Sequence, residues 1–343
     1  MGNSKSNILL IYTGGTIGMI KDFETGALRN FNFNDLLKYI PELKLLDCNI
    51  ATTSFSDPID SSNMNASYWV DIATIIEENY EQYDGFVVLH GSDTMSYTAS
   101  ALSFMLENLS KPIIFTGSQL PIGDLRTDAK ENLITSIQIA ALQEKNHSKI
   151  AEVCLYFEYK LYRANRTTKI NAEHFEAFAS LNYPALAESG VHLVVNNEAL
   201  YVPNRRKKLK VHKKMESNIL LVKMFPGMDE TTLNYLFAYP EIKGLILETY
   251  GSGNVTNEDW FIAALRKLIK NGIPVINVTQ CSGGSVAMGQ YETSVELKKM
   301  GVISGKDATT EAALAKLMYL LGQEVSLNSF KTIFETSLRG EMV

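Results

Sequence analysis

Thr16 is the first residue of the chain whose type and setting suggest chemistry. It follows Gly14 and Gly15, which close the short apolar run 8–11. Such a run, bounded by a glycine turn, is typical of a buried strand in a parallel sheet. Ligands of open α/β sheets bind beyond the carboxyl ends of the strands, where Thr16 would present its hydroxyl. The segment has neither of the glycine patterns that bind phosphates or dinucleotides, and alone it is equally compatible with a structural turn.

Two further loops at the ends of predicted strands carry small hydroxyl or acidic side chains, and a separate polar segment adds more of them. They are Ser92 and Asp93 after the apolar run 85–89, Ser118 after the run 112–115, and the polar segment Asp60, Ser61 and Ser62. A single loop of this kind could simply cap the helix that follows, and Ser92 and Asp93 are of the right type for that. Several such loops at one edge of a sheet instead favour a pocket for a polar ligand.

The elements that would position these loops alternate between strand and helix. Trp69, Ile72, Ala73 and Ile76 have the spacing of a buried helix face, and Asn65 is of the right type to cap that helix. Another apolar run, 153–157, predicts a further strand, and a second α/β unit begins near residue 219. The alternation predicts a parallel sheet covered by helices.

A change in composition near residue 190 indicates a domain boundary. The basic segment 205–214 contains few apolar residues. It could bind an anion or nucleic acid, but a solvated strand or linker explains it as well, and the acidic total charge favours the linker. We therefore expect an N-terminal catalytic α/β domain at 1–190, a linker at 191–215 and a C-terminal α/β domain at 216–343.

Composition and charge narrow the functional classes. The chain has 343 residues, of which 45% are hydrophobic, enough for one or two globular domains. The net charge of −6 argues against nucleic acid or an anionic membrane as the main partner. Cys48, Cys154 and Cys281 lie too far apart for a zinc or disulfide pattern. No signal peptide or membrane-spanning run is visible, so we expect a cytoplasmic protein.

Four motifs give the chain a specific resemblance. They are TGGTIG at residues 13–18, LHGSDTM at 89–95, YTASALSFMLENL at 97–109 and RTTK at 166–169. With them the chain resembles the bacterial L-asparaginases, in particular the cytoplasmic type I group, over essentially its whole length. The resemblance implies a two-domain fold with a larger N-terminal parallel-sheet domain and a smaller C-terminal α/β domain. It also implies a homodimer or homotetramer that hydrolyses L-asparagine, with some activity on glutamine and no cofactor.

The resemblance also implies roles for individual residues. Thr16 matches the catalytic nucleophile, and Ser92 takes the place of a second catalytic threonine. Asp93 and Lys169 complete the catalytic set. The substrate-binding set comprises Asp60, Ser61, Ser62, Ser92, Asp93 and Ser118. Without the resemblance, Lys169 would pass for an ordinary surface lysine.

These residue types suit transfer of an acyl group from an amide to a hydroxyl. A hydroxyl is a weak nucleophile at neutral pH and needs a base beside it. A lysine can serve as that base when burial or neighbouring cations lower its pKa. Asp93 could hold Lys169 and also bind a substrate ammonium, and backbone N–H groups could stabilise the oxyanion. No metal or organic cofactor is needed.

Three departures from the family pattern affect these expectations. Ser92 keeps the hydroxyl of the usual threonine but lacks the methyl group that restricts χ1. Ala27, after Gly26, stands where many relatives carry a lid tyrosine. Glu248 stands where a regulated relative has an arginine in an allosteric asparagine site, whereas Thr168 and Cys281 match that site. The candidate allosteric residues are therefore Thr168, Glu248 and Cys281.

Two other functions compete with the asparaginase hypothesis. The amidase subunit of a tRNA-dependent amidotransferase shares the fold, although such subunits usually carry an extra N-terminal domain. A non-catalytic amino-acid sensor could use the same scaffold, but the presence of Thr16, Asp93 and Lys169 argues against it.

Overall fold

The chain divides into two compact units, Met1–Lys213 and Lys214–Val343. The structure, a computed structural model, describes residues 5–21, 28–30, 40–290 and 292–343. None of the described helices combines the length and the apolar composition that a membrane crossing requires.

The first unit contains most of the strands. They are β1 (Ser6–Gly14), β2 (Met19–Lys21), β3 (Leu28–Asn30), β4 (Cys48–Ile59), β5 (Gly85–Leu89), β6 (Leu106–Glu107), β7 (Ile113–Thr116), β8 (Gln143–Glu144), β9 (His147–Ser148), β10 (Val153–Phe157), β11 (Lys160–Arg163), β12 (Thr168–Lys169), β13 (Phe178–Ala179), β14 (Ala187–Ser189), β15 (Leu193–Val195) and β16 (Lys210–Val211).

Eight of these strands form one mixed sheet, in the order β15-β14-β11-β10-β7-β5-β1-β4. The five strands from β10 to β4 are parallel, and β5, β7 and β10 are buried along their whole length. Continuous apolar runs form such strands because helices cover both faces of a parallel sheet. The parallel core and the two-domain α/β fold class predicted from the sequence are confirmed, and β11, β14 and β15 extend the sheet in antiparallel fashion.

The helices of the first unit are α1 (Ala66–Asn79), α2 (Met95–Met105) and α3 (Ala129–Ala140). Asn65 caps α1 as predicted, because its side chain accepts a hydrogen bond from the Ser67 N–H at 2.9 Å. Short 3₁₀ turns supply the loops at the strand ends. They are Thr16–Gly18, Pro41–Leu45, Ser61–Asn63, Ser92–Thr94 and Ala164–Arg166.

The second unit is a four-stranded parallel sheet with helices. Its strands are β17 (Ile219–Lys223), β18 (Gly244–Thr249), β19 (Val275–Thr279) and β20 (Ile303–Ser304), in that spatial order. Its helices are α4 (Glu230–Phe237), α5 (Asp259–Lys270), α6 (Glu292–Met300), α7 (Thr310–Gly322) and α8 (Leu327–Phe334). Gly272 follows the C-cap of α5 with φ of 80°, a conformation in which glycine commonly ends a helix.

Part of the segment expected to link the domains, 191–215, packs within the first unit. β15 forms the edge of the large sheet, and β16 pairs with β6. The basic segment 205–214 takes part in this packing. Lys210 lies in β16, and Arg205 donates to the carbonyl oxygens of Ser110 and Ser148. That the few residues around 214 link the two domains stays a prediction.

Candidate active site

The loop after β1 is built on two glycines. Gly14 and Gly15 have φ of 135° and 88°, in the region that residues with a Cβ rarely adopt. They also lack room for a side chain: a Cβ on Gly14 would lie 2.0 Å from the Ile59 carbonyl oxygen, and one on Gly15 would lie 2.5 Å from the Gly91 nitrogen. The glycines therefore hold the end of β1 directly against the end of β4 and the loop that follows β5.

Thr16 begins the 3₁₀ turn after these glycines and is half-buried. Its hydroxyl has no hydrogen-bond partner in the part of the chain that the structure describes. Thr13, three residues earlier, is buried and donates its hydroxyl to the Leu89 carbonyl oxygen at 3.0 Å. Thr13 thus fastens β1 to β5, while Thr16 keeps its hydroxyl available to a ligand.

His90 fixes the backbone of the loop after β5. It is fully buried, and burial lowers the pKa of its imidazole to about 4, so the ring is neutral at neutral pH. Its Nδ1 lies 2.7 Å from the Gly91 carbonyl oxygen. A carbonyl only accepts, so Nδ1 carries the proton and holds the Gly91 peptide in place.

Lys169 joins the two side chains of the Ser92–Asp93 pair. Its Nζ donates to Ser92 Oγ at 2.8 Å and to Asp93 Oδ1 at 2.7 Å. The lysine side chain is 17% exposed and the Asp93 side chain is 65% exposed, so the carboxylate opens to solvent. Neither Ser92 nor Asp93 caps the following helix with its side chain, which removes the structural alternative considered for them. Lys169 reaches this position from β12, which pairs with β13.

The polar segment after β4 packs on the same loop. Asp60 is exposed and caps the turn Ser61–Asn63, because its Oδ1 accepts from the Ser62 N–H at 2.8 Å. That bond, and then the Ser62 hydroxyl, hold the pKa of the Asp60 carboxyl below its usual range. Ser61 is buried, and its carbonyl oxygen accepts from Thr94 Oγ1 at 2.8 Å. The segment is therefore a rigid turn with one outward carboxylate.

Ser118 and Gln119 form the loop after β7. The Ser118 hydroxyl is buried and donates to the Leu120 carbonyl oxygen at 2.6 Å, so it stabilises its own turn. A substrate contact by Ser118 stays a proposal. Gln119, which the sequence did not single out, accepts from Ser92 Oγ at 3.2 Å with its Oε1. A polar loop residue of this type, without a motif around it, gave no signal from which that contact could be predicted.

The four loops named by the sequence therefore meet at one sheet edge. The three candidate allosteric residues are divided between the two units. Thr168 precedes Lys169 on β12, whereas Glu248 and Cys281 belong to the second unit. Glu248 is largely buried, and its carboxylate accepts from Thr310 Oγ1 at 2.6 Å. Cys281 is exposed. Gly26 and Ala27, the positions considered for the lid, lie outside the described residues.

Within the described ranges, no cluster of three or more His, Cys, Asp or Glu side chains is arranged to hold a metal ion. The loops instead bring together two hydroxyls, a carboxylate and an amine. These groups can together activate a nucleophile and transfer protons without a metal ion.

Known proteins share both the sequence and the fold. The family model described as Asparaginase, N-terminal, matches residues 7–201, and the model described as Glutaminase/Asparaginase C-terminal domain matches residues 218–334. The chain belongs to the asparaginase family. It is 42% identical to L-asparaginase 1 of Escherichia coli over 339 residues, covering 98% of both chains. The family membership makes it an amidohydrolase.

Two further asparaginase-family relatives bear on the function. The crystal structure of L-asparaginase I from Vibrio cholerae matches with a TM-score of 0.89 at 39% identity, covering 99% of this chain and all of that one. A glutamyl-tRNA(Gln) amidotransferase subunit of Methanobrevibacter smithii is 36% identical over 98% of this chain but only 77% of its own length. These two bacterial asparaginases therefore match along nearly their whole length, whereas the amidotransferase protein has further sequence outside the match.

Proposed function

We propose that this chain is an L-asparaginase that hydrolyses L-asparagine to L-aspartate and ammonia. The observation that carries the proposal is the Lys169–Ser92–Asp93 cluster, hydrogen-bonded beside a glycine loop that offers an unengaged Thr16 hydroxyl. The full-length similarity to proteins named L-asparaginase supports the choice of substrate. We further propose a minor glutaminase activity, a cytoplasmic location, and assembly as a homodimer or homotetramer.

In the proposed mechanism Thr16 is the nucleophile. Lys169 in its neutral form accepts the Thr16 proton while Oγ bonds to the side-chain amide carbon of asparagine. Backbone N–H groups at the strand ends stabilise the oxyanion that forms. The carbon–nitrogen bond then breaks, the nitrogen takes the proton from Lys169, and ammonia leaves an aspartyl ester on Thr16. Water attacks that ester, its proton passes through Lys169 to Thr16 Oγ, and aspartate is released.

Substrate recognition in this proposal uses the two outward carboxylates. Asp93 keeps its second oxygen free of Lys169 and faces solvent, so it can take the α-ammonium group. Asp60 adds a second carboxylate that remains ionised, because its pKa is held below the usual range. Ser61 and Ser62 supply the turn against which the α-carboxylate binds. Such charge-assisted hydrogen bonds are about twice as strong as neutral ones, which suits a small charged substrate.

An ammonia-release assay tests this function against the alternatives. We expect ammonia from asparagine without ATP or tRNA, and a slower release from glutamine. Ammonia that appears only when ATP and glutamyl-tRNA are added would favour the amidotransferase, the function of the relative from Methanobrevibacter smithii. Binding of asparagine without any ammonia would favour a sensor and contradict the proposal.

Ser92 offers a test of the second hydroxyl. We expect Ser92→Ala to lower kcat far more than Ser92→Thr, because the hydroxyl accepts from Lys169 and donates to Gln119. Ser92→Thr keeps both bonds and adds only a methyl that limits rotamers. Steady-state kinetics with asparagine measure the difference. Equal losses in the two variants would point to packing around the residue instead.

Regulation gives a further proposal at Glu248. An arginine at this position would pair with the α-carboxylate of a second asparagine, a bond of roughly 1.5–3 kcal/mol, whereas a glutamate repels it. Allosteric coupling is typically only about 1–3 kcal/mol, so the change is large enough to remove it. We expect initial rates to depend hyperbolically on asparagine, and a sigmoidal curve in the unmodified protein would contradict this.

The variant Glu248→Arg separates regulation from structure at the same position. If Glu248 only accepts from Thr310 and pairs with Lys223, the arginine variant stays hyperbolic. If Glu248 instead occupies the place of the effector-site arginine, the same variant introduces sigmoidality. Glu248→Gln is the matched control, because it keeps an acceptor for Thr310 without adding a positive charge.

A further inference from the structure

Gln119 connects the Ser92 hydroxyl to the segment that follows Lys169. Its Oε1 lies 3.2 Å from Ser92 Oγ, and its Nε2 donates to the carbonyl oxygens of Ala172 at 3.1 Å and His174 at 3.0 Å. One side chain thus contacts both parts of the chain that form the Lys169–Ser92 pair. None of the sequence motifs includes it.

The chemistry of these partners fixes the direction of every bond. Carbonyl oxygens only accept, so the amide nitrogen of Gln119 must face Ala172 and His174, and its oxygen must face Ser92. A protonated lysine only donates, so Ser92 accepts from Lys169 and sends its single proton to Gln119. While Lys169 is protonated, the proton of the Ser92 hydroxyl therefore points to Gln119 and cannot point to Lys169.

The backbone that carries Gln119 is rigid. Asp128 is buried and accepts from the N–H of Gln119 at 2.9 Å and from the N–H of Leu120 at 3.1 Å. Asn132 donates to Asp128 at 3.2 Å and to the Gly117 carbonyl oxygen at 3.0 Å. A side chain on such a support is held in place, which is what a positioning group needs.

The facing segment is equally ordered. Asn171 accepts from the N–H groups of Glu173 at 2.8 Å and His174 at 2.9 Å, so the chain turns tightly there. This turn presents the carbonyl oxygens of Ala172 and His174 side by side to one amide group. Glutamine is the only residue type of this length whose side chain can donate to both carbonyl oxygens and still accept from Ser92.

We infer that Gln119 is a positioning residue for the proposed hydrolysis: it holds the Ser92 proton away from Lys169. A neutral lysine has one lone pair, and a Ser92 proton donated into it would compete with the proton of the nucleophile. With the Ser92 proton bound to Gln119, that lone pair stays available. This inference rests on the proposed function, because it assumes that Lys169 acts as the base.

Kinetics of two variants test the inference. Gln119→Leu removes the acceptor and both donors, and we expect kcat for asparagine to fall roughly tenfold with KM changed less than about threefold. Gln119→Glu keeps an acceptor for Ser92 and adds a negative charge that stabilises the ammonium form of Lys169. Its rate–pH profile should shift to higher pH, whereas that of Gln119→Leu should not.

Controls separate positioning from a structural role and from failure of the function. Gln323→Leu removes a glutamine that donates to a backbone carbonyl in the second unit and should behave as wild type. Equal losses in both Gln119 variants, with unshifted pH profiles and a lower thermal midpoint, would reduce Gln119 to a structural role and overturn the inference. If wild type and Gln323→Leu both fail to release ammonia, it is the proposed function that fails.

Neutron diffraction on the deuterated wild-type protein decides the hydrogen-bond direction without any assay. We expect the deuterium of Ser92 to lie between its Oγ and Gln119 Oε1. The decisive crystals are those at alkaline pH that contain the neutral form of Lys169. In them, a serine deuterium that lies between Ser92 Oγ and Lys169 Nζ would overturn the inference, whatever the substrate proves to be.

Discussion

Thr16→Ala is expected to lower kcat for asparagine by at least about 10³-fold, as loss of a nucleophile does in other hydrolases. The hydroxyl is the group that would form the aspartyl ester, and it has no partner among the described residues that could take over. For the same reason its removal should change the free energy of unfolding by less than about 1 kcal/mol. Steady-state kinetics and thermal unfolding, measured on the same preparation, check both parts.

Thr16→Ser is the matched control for this experiment. It keeps the hydroxyl and loses only the methyl group, so it should retain far more activity than Thr16→Ala. Turnover near that of the wild type in Thr16→Ala would remove Thr16 as the nucleophile. A large drop in stability would instead indicate that the loop had collapsed, in which case Thr16 contributes to packing against Gly15.

Lys169→Met is expected to lower kcat by roughly 10²- to 10⁴-fold, the usual contribution of a general base. Methionine keeps the length and the apolar stem of lysine but can neither donate to Ser92 nor accept a proton. The ion pair with Asp93 opens to solvent on the carboxylate side, so its loss should cost less than about 1 kcal/mol of stability. Activity should therefore fall much further than stability.

Lys169→Arg distinguishes a base from a fixed charge. Arginine keeps the positive charge beside Asp93 and can still donate to Ser92, but it stays protonated in proteins. If Lys169 acts as the base, this variant should be nearly as inactive as Lys169→Met. If it retained most of the turnover, the lysine would serve by its charge and the proposed mechanism would be wrong.

The strands that carry the site could be predicted because they are buried on both faces. The apolar runs 85–89 and 153–157 coincide with β5 and β10 residue for residue. Burial on both faces restricts such a strand to apolar side chains, so its sequence is a continuous apolar run that is easily recognised. The glycines after β1 are distinctive for a related reason, since the close approach of Gly91 leaves no room for a Cβ on Gly15.

The antiparallel edge of the large sheet was not predicted. β14 and β15 are only three residues long and partly exposed, and they owe their place in the sheet to the pairing of β14 with β11 and of β15 with β14. Short, half-exposed segments have neither the apolar run nor the length that marks a strand in a sequence. The same pairing explains why part of the expected linker at 191–215 packs with the first unit.

The catalytic set divides along similar lines. Thr16 and Ser92 follow recognisable strands, so local sequence points to them. Lys169 lies 76 residues from its Asp93 partner on a two-residue strand, and only the family resemblance singled it out. Gln119 has no motif at all, and its contacts with Ser92 and with the segment after Lys169 arise from the folded chain alone.

The central claim, an aspartyl ester on Thr16, is tested most directly by the partitioning of that intermediate. Asparagine and the β-methyl ester of aspartate are each turned over in the same concentration of hydroxylamine, which competes with water for the acyl group. Both donors form the same ester in this account, so the ratio of aspartate β-hydroxamate to aspartate should be identical for the two after correction for the uncatalysed reaction. A ratio that depends on which group leaves would show that no common acyl-enzyme exists and would contradict the account.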